Sequence, residues 1–330
     1  MLLVSVGAAP AAGAHSTSGA PASDFSTELR GIRPRAPGVA ARIDPDGERI
    51  TLTVTAPRTT VVVSGYSDEP YLRIGPDGVF ENRSSPAVRL NRTRIPTGAA
   101  AKGPIPPPRW VRVSTGTTAR WHDHRTHWMG GATPAAVRRD PDRAHVVGHW
   151  RIPLRVDGRA SGVDGVIRWD PPPTSWSWWL LALGIGAVVI LAARIATRAV
   201  TLAVLAVLTV GETVHLWGSW PFSTATTIGR IGENLPSIAA VAITAITFGW
   251  VLRRGVRSGA PLLIVTGLFC LVAGGLADVA ALSHSWIPTR VTPDLARLLV
   301  ACALGGGLGL MWIGGTHLRP APAEADRLSG

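Results

Sequence analysis

At 330 residues the chain has room for two domains of ordinary size, and its 46% hydrophobic content is divided sharply along its length. Up to about Pro173 it is rich in Arg, Asp, Pro and Gly, whereas from Trp178 onward Ala, Val, Leu, Ile and Gly dominate. The net charge of +12 suggests a nucleic-acid partner, but the arginines are scattered and not interleaved with aromatics in one stripe, so nucleic acid is excluded.

The first residues, MLLVSVGAAPAAGAHS, read as a secretory signal over 1–14 that lacks a basic n-region. Ala12-Gly13-Ala14 fits a small-x-small cleavage site, which would leave His15 as the first mature residue. Residues 15–40 are small and polar with several prolines, and predict a flexible arm. Strand signals then begin. Ala41 to Val54 reads as strand, Pro-Asp-Gly turn, strand, and a second Pro-Asp-Gly turn follows Tyr71 to Ile74. Further strands are expected at Thr59–Val63, Trp110–Val113, His145–Leu154 and Gly165–Trp169, with a loop at Gly98–Pro108. Short strands between turn signals, with no convincing helix, predict a β-sandwich over 41–172.

Pro171-Pro-Pro then leads to Trp176, Trp178 and Trp179, an aromatic cluster suited to a membrane interface. Five apolar spans are expected at 178–196, 199–217, 235–252, 260–282 and 294–315, giving an all-α membrane domain over 173–317 and a tail over 318–330. Arg194 and Arg198 flank the end of the first span, and Arg253, Arg254 and Arg257 follow the third. By the positive-inside rule these gaps are cytoplasmic, which places the β-domain outside and the C-terminus inside. The expected location is the plasma membrane, with the lipid bilayer as the first partner.

Both cysteines, Cys270 and Cys302, fall within spans, so the outer domain has neither a disulfide framework nor a Cys-based metal site. Its densest chemistry is Trp121-His-Asp-His-Arg-Thr-His-Trp-Met129. Imidazole suits copper and zinc, and a nitrogen-rich square-planar site favours Cu(II). On an extended strand His122 and His124 share a face, with Asp123 on the other, and His127 joins them only if the chain bends after Arg125. A free N-terminal His15 could chelate the same ion through its amine and imidazole. The expected ligands are therefore His15, His122, Asp123, His124 and His127, with copper as the ion. Met129, His145 and His149 read as packing residues. The alternative is that the histidines fill a polar corner and serve no metal.

The stretch from Gly65-Tyr66 through Glu69-Pro70-Tyr71-Leu-Arg-Ile-Gly-Pro-Asp-Gly-Val-Phe-Glu-Asn82 to Pro86, followed by Trp121-His-Asp-His-Arg-Thr-His-Trp-Met129, resembles an actinobacterial family of exported, membrane-anchored proteins. That resemblance implies a His directly after the signal peptide. Separately, Arg155-Val-Asp-Gly-Arg-Ala-Ser-Gly162 is faintly similar to the closing strands of CopC-type copper proteins. That similarity implies an Ig-like sandwich with an N-terminal His ligand, although Arg159 stands where those proteins carry a His.

Within the spans, Glu212 and His215 share a helical face, and Asp278 lies in the fourth span. Ionisable groups at such depth are costly and mark functional candidates for a proton or metal path. No phosphate loop, nucleophile elbow or HExxH helix is present. Two functions remain: metal handling or sensing at the envelope, and a non-catalytic subunit that docks an envelope partner.

Overall fold

The computed structural model describes residues 22–92, 106–222 and 227–318. The proposed signal, His15, the tail and most of the Gly98–Pro108 loop lie outside them. The chain divides into two units, the first spanning Ser23–Pro171.

This first unit is antiparallel β. Its strands are β1 (Phe25–Ile32), β2 (Val39–Ile43), β3 (Arg49–Val54), β4 (Val61–Ser64), β5 (Pro70–Gly75), β6 (Gly78–Asn82), β7 (Trp110–Ser114), β8 (Thr118–His122), β9 (His145–Val156) and β10 (Arg159–Trp169). They form a seven-stranded sheet ordered β1-β10-β9-β4-β5-β6-β7 and a three-stranded sheet ordered β2-β3-β8. The period-2 pattern sets the faces. In β3, Ile50, Leu52 and Val54 are buried while their neighbours are half-buried. One core joins both sheets, with Ile50, Leu52 and Trp121 from the smaller packing among Val61, Ile74, Trp150 and Ile152 of the larger.

The expected arm is corrected at β1, which pairs with β10 from Phe25↔Trp169 to Ile32↔Val163. A bulge between Leu29 and Gly31 breaks its alternation, which is why no strand pattern is visible there. Two helices, α1 (Pro86–Leu90) and α2 (Ala135–Arg139), interrupt the strands. Each is too short to print a 3.6-residue period.

The second unit is helical. It comprises α3 (Ser175–Ser219), α4 (Thr227–Glu233), α5 (Leu235–Arg254), α6 (Ala260–Phe269) and α7 (Pro293–Leu318). Ala196 has non-helical angles (φ −137°, ψ 58°), so α3 is two arms and not one rod. The packing shows a reversal there. Gly305 of α7 lies against Ala182 and Gly186, while its neighbour Gly306 lies against Val204 and Leu208. A straight helix would hold those two contact regions roughly 30 Å apart. The expected spans 178–196 and 199–217 are the two arms. The span expected at 260–282 is corrected: α6 passes into a π-helical turn, Cys270–Leu276, and then a 3-10 turn, Val279–Leu282.

Three helices, Ser175–Phe222, Leu235–Arg254 and Pro293–Leu318, are long and apolar enough to cross a membrane, and Ala260–Leu276 is a shorter apolar helix. In the first two, only 22% of the apolar window is buried within the protein. Such faces are compatible with lipid contact.

Candidate metal centre

The centre is built where β8 ends. His122 is its last residue, and the chain then turns through Asp123–Thr126, closed by Thr126 N–H donating to the Asp123 carbonyl at 3.1 Å. The bend therefore comes at Asp123, earlier than after Arg125, and it carries His127 back toward His122. The Pro-Asp-Gly turn between β2 and β3 packs against this loop. Gly47 has φ +74°, and a Cβ there would fall 2.3 Å from the Thr126 carbonyl oxygen, so only glycine fits. The Thr126 hydroxyl reaches the Gly47 carbonyl at 2.6 Å. Trp128 closes the loop by stacking on Phe25 of β1, with ring centroids 5.1 Å apart.

Three imidazoles converge as a result. His122 Nε2 lies 3.3 Å from His124 Nδ1 and 3.4 Å from His127 Nε2. One ligand atom from each of the three residues can be chosen so that all lie within 4.8 Å of one another. His127 is buried, and the other two are half-buried.

The outer nitrogens decide what the inner ones can do. His124 Nε2 lies 2.8 Å from the Leu90 carbonyl at the end of α1. A carbonyl only accepts, so Nε2 carries the hydrogen and Nδ1 carries the lone pair in the neutral ring. His122 Nδ1 lies 3.3 Å from Oε2 of Glu48. The carboxylate fixes that hydrogen in the same way and leaves Nε2 basic. Outer-shell partners of this kind orient metal-binding imidazoles and raise their basicity. Burial lowers the His124 pKa, as does the neighbouring His122, and together they outweigh the Leu90 carbonyl, which raises it. His124 is thereby kept in the neutral form that ligation needs. No family model matches the chain, and no curated protein or solved structure does either.

Asp123, expected among the ligands, is placed elsewhere. Its carboxylate is fully buried and accepts from Arg125 Nε at 2.8 Å, Arg125 NH2 at 2.7 Å and Trp121 Nε1 at 3.0 Å. Burial alone would raise its pKa, but the hydrogen bonds and charge of Arg125, with Trp121 adding to them, hold it below the usual carboxylate range. Asp123 positions the loop while the three imidazoles form the cluster.

The Gly65–Pro86 stretch supplies the support. Tyr66 accepts the His124 backbone N–H at 2.9 Å and donates to Asn91. Burial pushes its phenol pKa up, and the Asp123 charge adds to this, so the hydroxyl stays a donor. Arg125 donates to the Ser64 and Gly65 carbonyls, each at 3.2 Å, and lies over the Tyr66 ring. Buried Glu69 accepts from Ser85 at 2.6 Å, and Ser85 caps α1, whose far end presents the Leu90 carbonyl. A Cβ on Gly65 would fall 1.9 Å from the Glu69 Oε1, which accounts for that glycine.

No other candidate among the described residues joins the cluster, and His15 lies outside them. Met129 is exposed, and His145 donates to the Asp140 carbonyl at 2.7 Å. In the helical unit, His215 Nε2 lies 3.4 Å from Oδ2 of Asp278, and Glu212 is buried nearby on the same helix. Glu48 was missed by sequence reasoning. Its only sequence signal is its place after the Pro-Asp-Gly turn, and the β3–β8 register Arg49↔His122 is what brings it to the site.

Replacing Glu48 with Ala should lower metal affinity about 10- to 100-fold, the usual effect of losing an outer partner of a ligating histidine. Competition titration against a chromophoric chelator measures it. Unchanged affinity would remove Glu48 from the centre.

Proposed function

We propose that the β-unit is an extracytoplasmic metal-binding module held at the cell membrane by the helical unit, and that His122, His124 and His127 bind a transition-metal ion for handling or sensing. One observation carries this reading. The outer hydrogens of His122 and His124 are committed to Glu48 and Leu90, so their inner lone pairs face each other at 3.3 Å. A cation between facing lone pairs removes their repulsion, and burial of His124 disfavours a proton on that ring. A metal ion satisfies all three nitrogens at once.

The spacing also bears on the ion. Nitrogens bound at 2.0–2.1 Å lie about 3.3–3.4 Å apart at tetrahedral angles and about 2.9 Å apart when cis in a square plane. Two separations, 3.3 and 3.4 Å, lie close to the tetrahedral value and all three lie within 4.8 Å, a spacing open to Zn(II), Cu(I) and Cu(II). Three protein ligands leave a fourth position for solvent or for His15.

Membrane anchoring in five crossings is supported by where the charges and aromatics collect. Arg198, beside the Ala196 reversal, donates to the Leu252 carbonyl at 2.9 Å, which gathers Arg194, Arg198, Arg253 and Arg254 at one end of the helical unit. Phe222 and Trp286 meet at the other end, with ring centroids 6.3 Å apart. That segregation fits an arginine-rich cytoplasmic face and an aromatic outer belt.

The test is anaerobic titration of the detergent-solubilised full chain with Zn(II) and with Cu(I), followed by EPR of a Cu(II)-loaded sample. One ion per chain is expected, lost when His122, His124 and His127 are together replaced by Ala. Equal binding by the triple variant would overturn the site. Absence of binding by the native chain would leave the envelope-docking reading, with the histidines structural. A planar Cu(II) spectrum of high affinity would identify the ion as Cu(II).

A further inference from the structure

The helical unit holds a second polar site that the metal centre does not use. Glu212, on the second arm of α3, is 5% exposed, and no hydrogen bond or ion pair reaches its carboxyl among the described residues. It lines a cavity of about 10 Å³ with Gly211, His215, Gly274, Leu299 and Ala303. That volume holds about one water. The carboxyl lies against the π-helical turn: a Cβ on Gly274 would fall 2.1 Å from the Glu212 Oε1. π-turns inside helices recur at functional sites because they displace backbone from the regular ladder.

The cavity continues to a polar pair. His215 lines it one turn along from Glu212, and its Nε2 lies 3.4 Å from Oδ2 of Asp278. The two side chains are 26% and 33% exposed, so the pair is more open than Glu212. Trp220 lies a further turn and a half along, about 7 Å from His215 by helical rise, close to the aromatic end marked by Phe222 and Trp286. Polarity thus grades outward from Glu212 through His215 and Asp278.

We propose that Glu212 is a proton-binding carboxyl that exchanges with the aromatic side of the membrane through the His215–Asp278 pair. A carboxylate without partners in apolar surroundings is costly, and binding a proton removes that cost. On release the proton passes through the cavity to the His215 ring, and the Glu212 O–H bond breaks as an N–H bond forms. The carboxylate of Asp278 beside Nε2 balances the imidazolium, which leaves Nδ1 as the basic nitrogen. A metal ion fits less well, because no group of three ligands including these residues converges among the described residues. The other titratable groups around Glu212 are Cys302, which lines the cavity, and Cys270 at the start of the π-turn. Arg297 of α7 does not reach the carboxyl. It is engaged by Asp294 at 2.7 Å and by the Ala281 and His284 carbonyls.

The experiment is infrared difference spectroscopy of the full chain in lipid nanodiscs. A protonated-carboxyl C=O stretch is expected at neutral pH, absent in Glu212→Gln, and shifting promptly on transfer to deuterated buffer. In His215→Ala the shift should slow about 100-fold, the scale of a lost proton-transfer group. If Glu212→Gln has the same carboxyl spectrum as the native chain, the proton is not on Glu212 and the proposal fails. An unchanged exchange rate in His215→Ala overturns the route through that pair. Labelling of the unaltered chain with dicyclohexylcarbodiimide, which adds to buried protonated carboxyls, needs no variant. Modification of Glu212 that declines as pH rises supports the proposal, and absence of modification overturns it.

Discussion

Replacing His127 with Ala should weaken ion binding by the full chain by more than about 100-fold, beyond what loss of an outer partner produces. His127 is the most enclosed of the three imidazoles and reaches His122 Nε2 at 3.4 Å from the far side of the turn. Its removal leaves two nitrogens, too few to close a tetrahedral or trigonal ion. The loop is also held without His127, by Thr126 on Gly47 and Trp128 on Phe25 on either side of it. Thermal unfolding of the metal-free variant should therefore stay close to that of the native chain, while the stabilisation conferred by added ion disappears. His145→Ala is the matched control, since His145 donates to the Asp140 carbonyl and lies against Trp169, outside the cluster, and should leave affinity unchanged. Parallel titrations and melting curves decide the matter. Equal affinity for the His127 variant would reduce the site to two ligands and sink a three-imidazole centre.

The histidine cluster was legible because its members are close in sequence. Three histidines between Trp121 and Met129 can converge after a single turn, and a turn needs little more than Asp123 and Thr126. What holds them was not legible, because it is brought in from elsewhere in the chain. Glu48 reaches His122 only through the β3–β8 pairing, and the Leu90 carbonyl arrives at the end of a helix too short to show a period. Phe25 sits on a strand whose bulge hides its alternation in a polar, proline-containing stretch. Asp123 shows the converse error. A carboxylate between two histidines reads as a ligand, and only the guanidinium two residues on, buried with it, shows that its oxygens are committed.

The helical unit follows the same rule. The two arms of α3 were legible as separate helices because Arg194 and Arg198 interrupt the apolar run, and the reversal at Ala196 falls between them. The irregular passage from Cys270 to Leu282 was not legible, since Gly274-Gly275 reads equally as a site of close helix packing. Its departure from the α-helix makes sense against its neighbours. Glycine at 274 leaves space for the Glu212 carboxyl, and the segment ends where Asp278 meets His215.

Replacing Asp123 with Ala should cost the β-unit about 3–5 kcal/mol, the usual penalty for removing one member of a buried ion pair. Asp123 is fully buried, Arg125 is 20% exposed, and the fork of two hydrogen bonds between them is backed by Trp121. Without the carboxylate, the guanidinium keeps only the Ser64 and Gly65 carbonyls and the Tyr66 ring. A second change, Arg125→Met, should recover part of the loss by removing the stranded charge, which a simple packing defect would not allow. Denaturant melts of the single and double variants measure this, and additive losses would refute the coupling. Acid should reproduce the effect in the native chain. The Asp123 pKa is depressed on folding, so its contribution is complete above the unfolded value of about 3.8 and is lost as pH falls through the lower folded value. His124 is also depressed, but as a base it acts in a different window. Its neutral form is favoured by folding, so metal-free stability begins to fall as pH drops below about 6.5, before Asp123 contributes to the loss. Bound ion should suppress the first loss, because ligation holds His124 neutral. The second loss should remain, since Asp123 acts on the loop and not on the ion. A pH series of melts with and without ion separates the two. A single transition unaffected by ion would detach His124 from the metal centre.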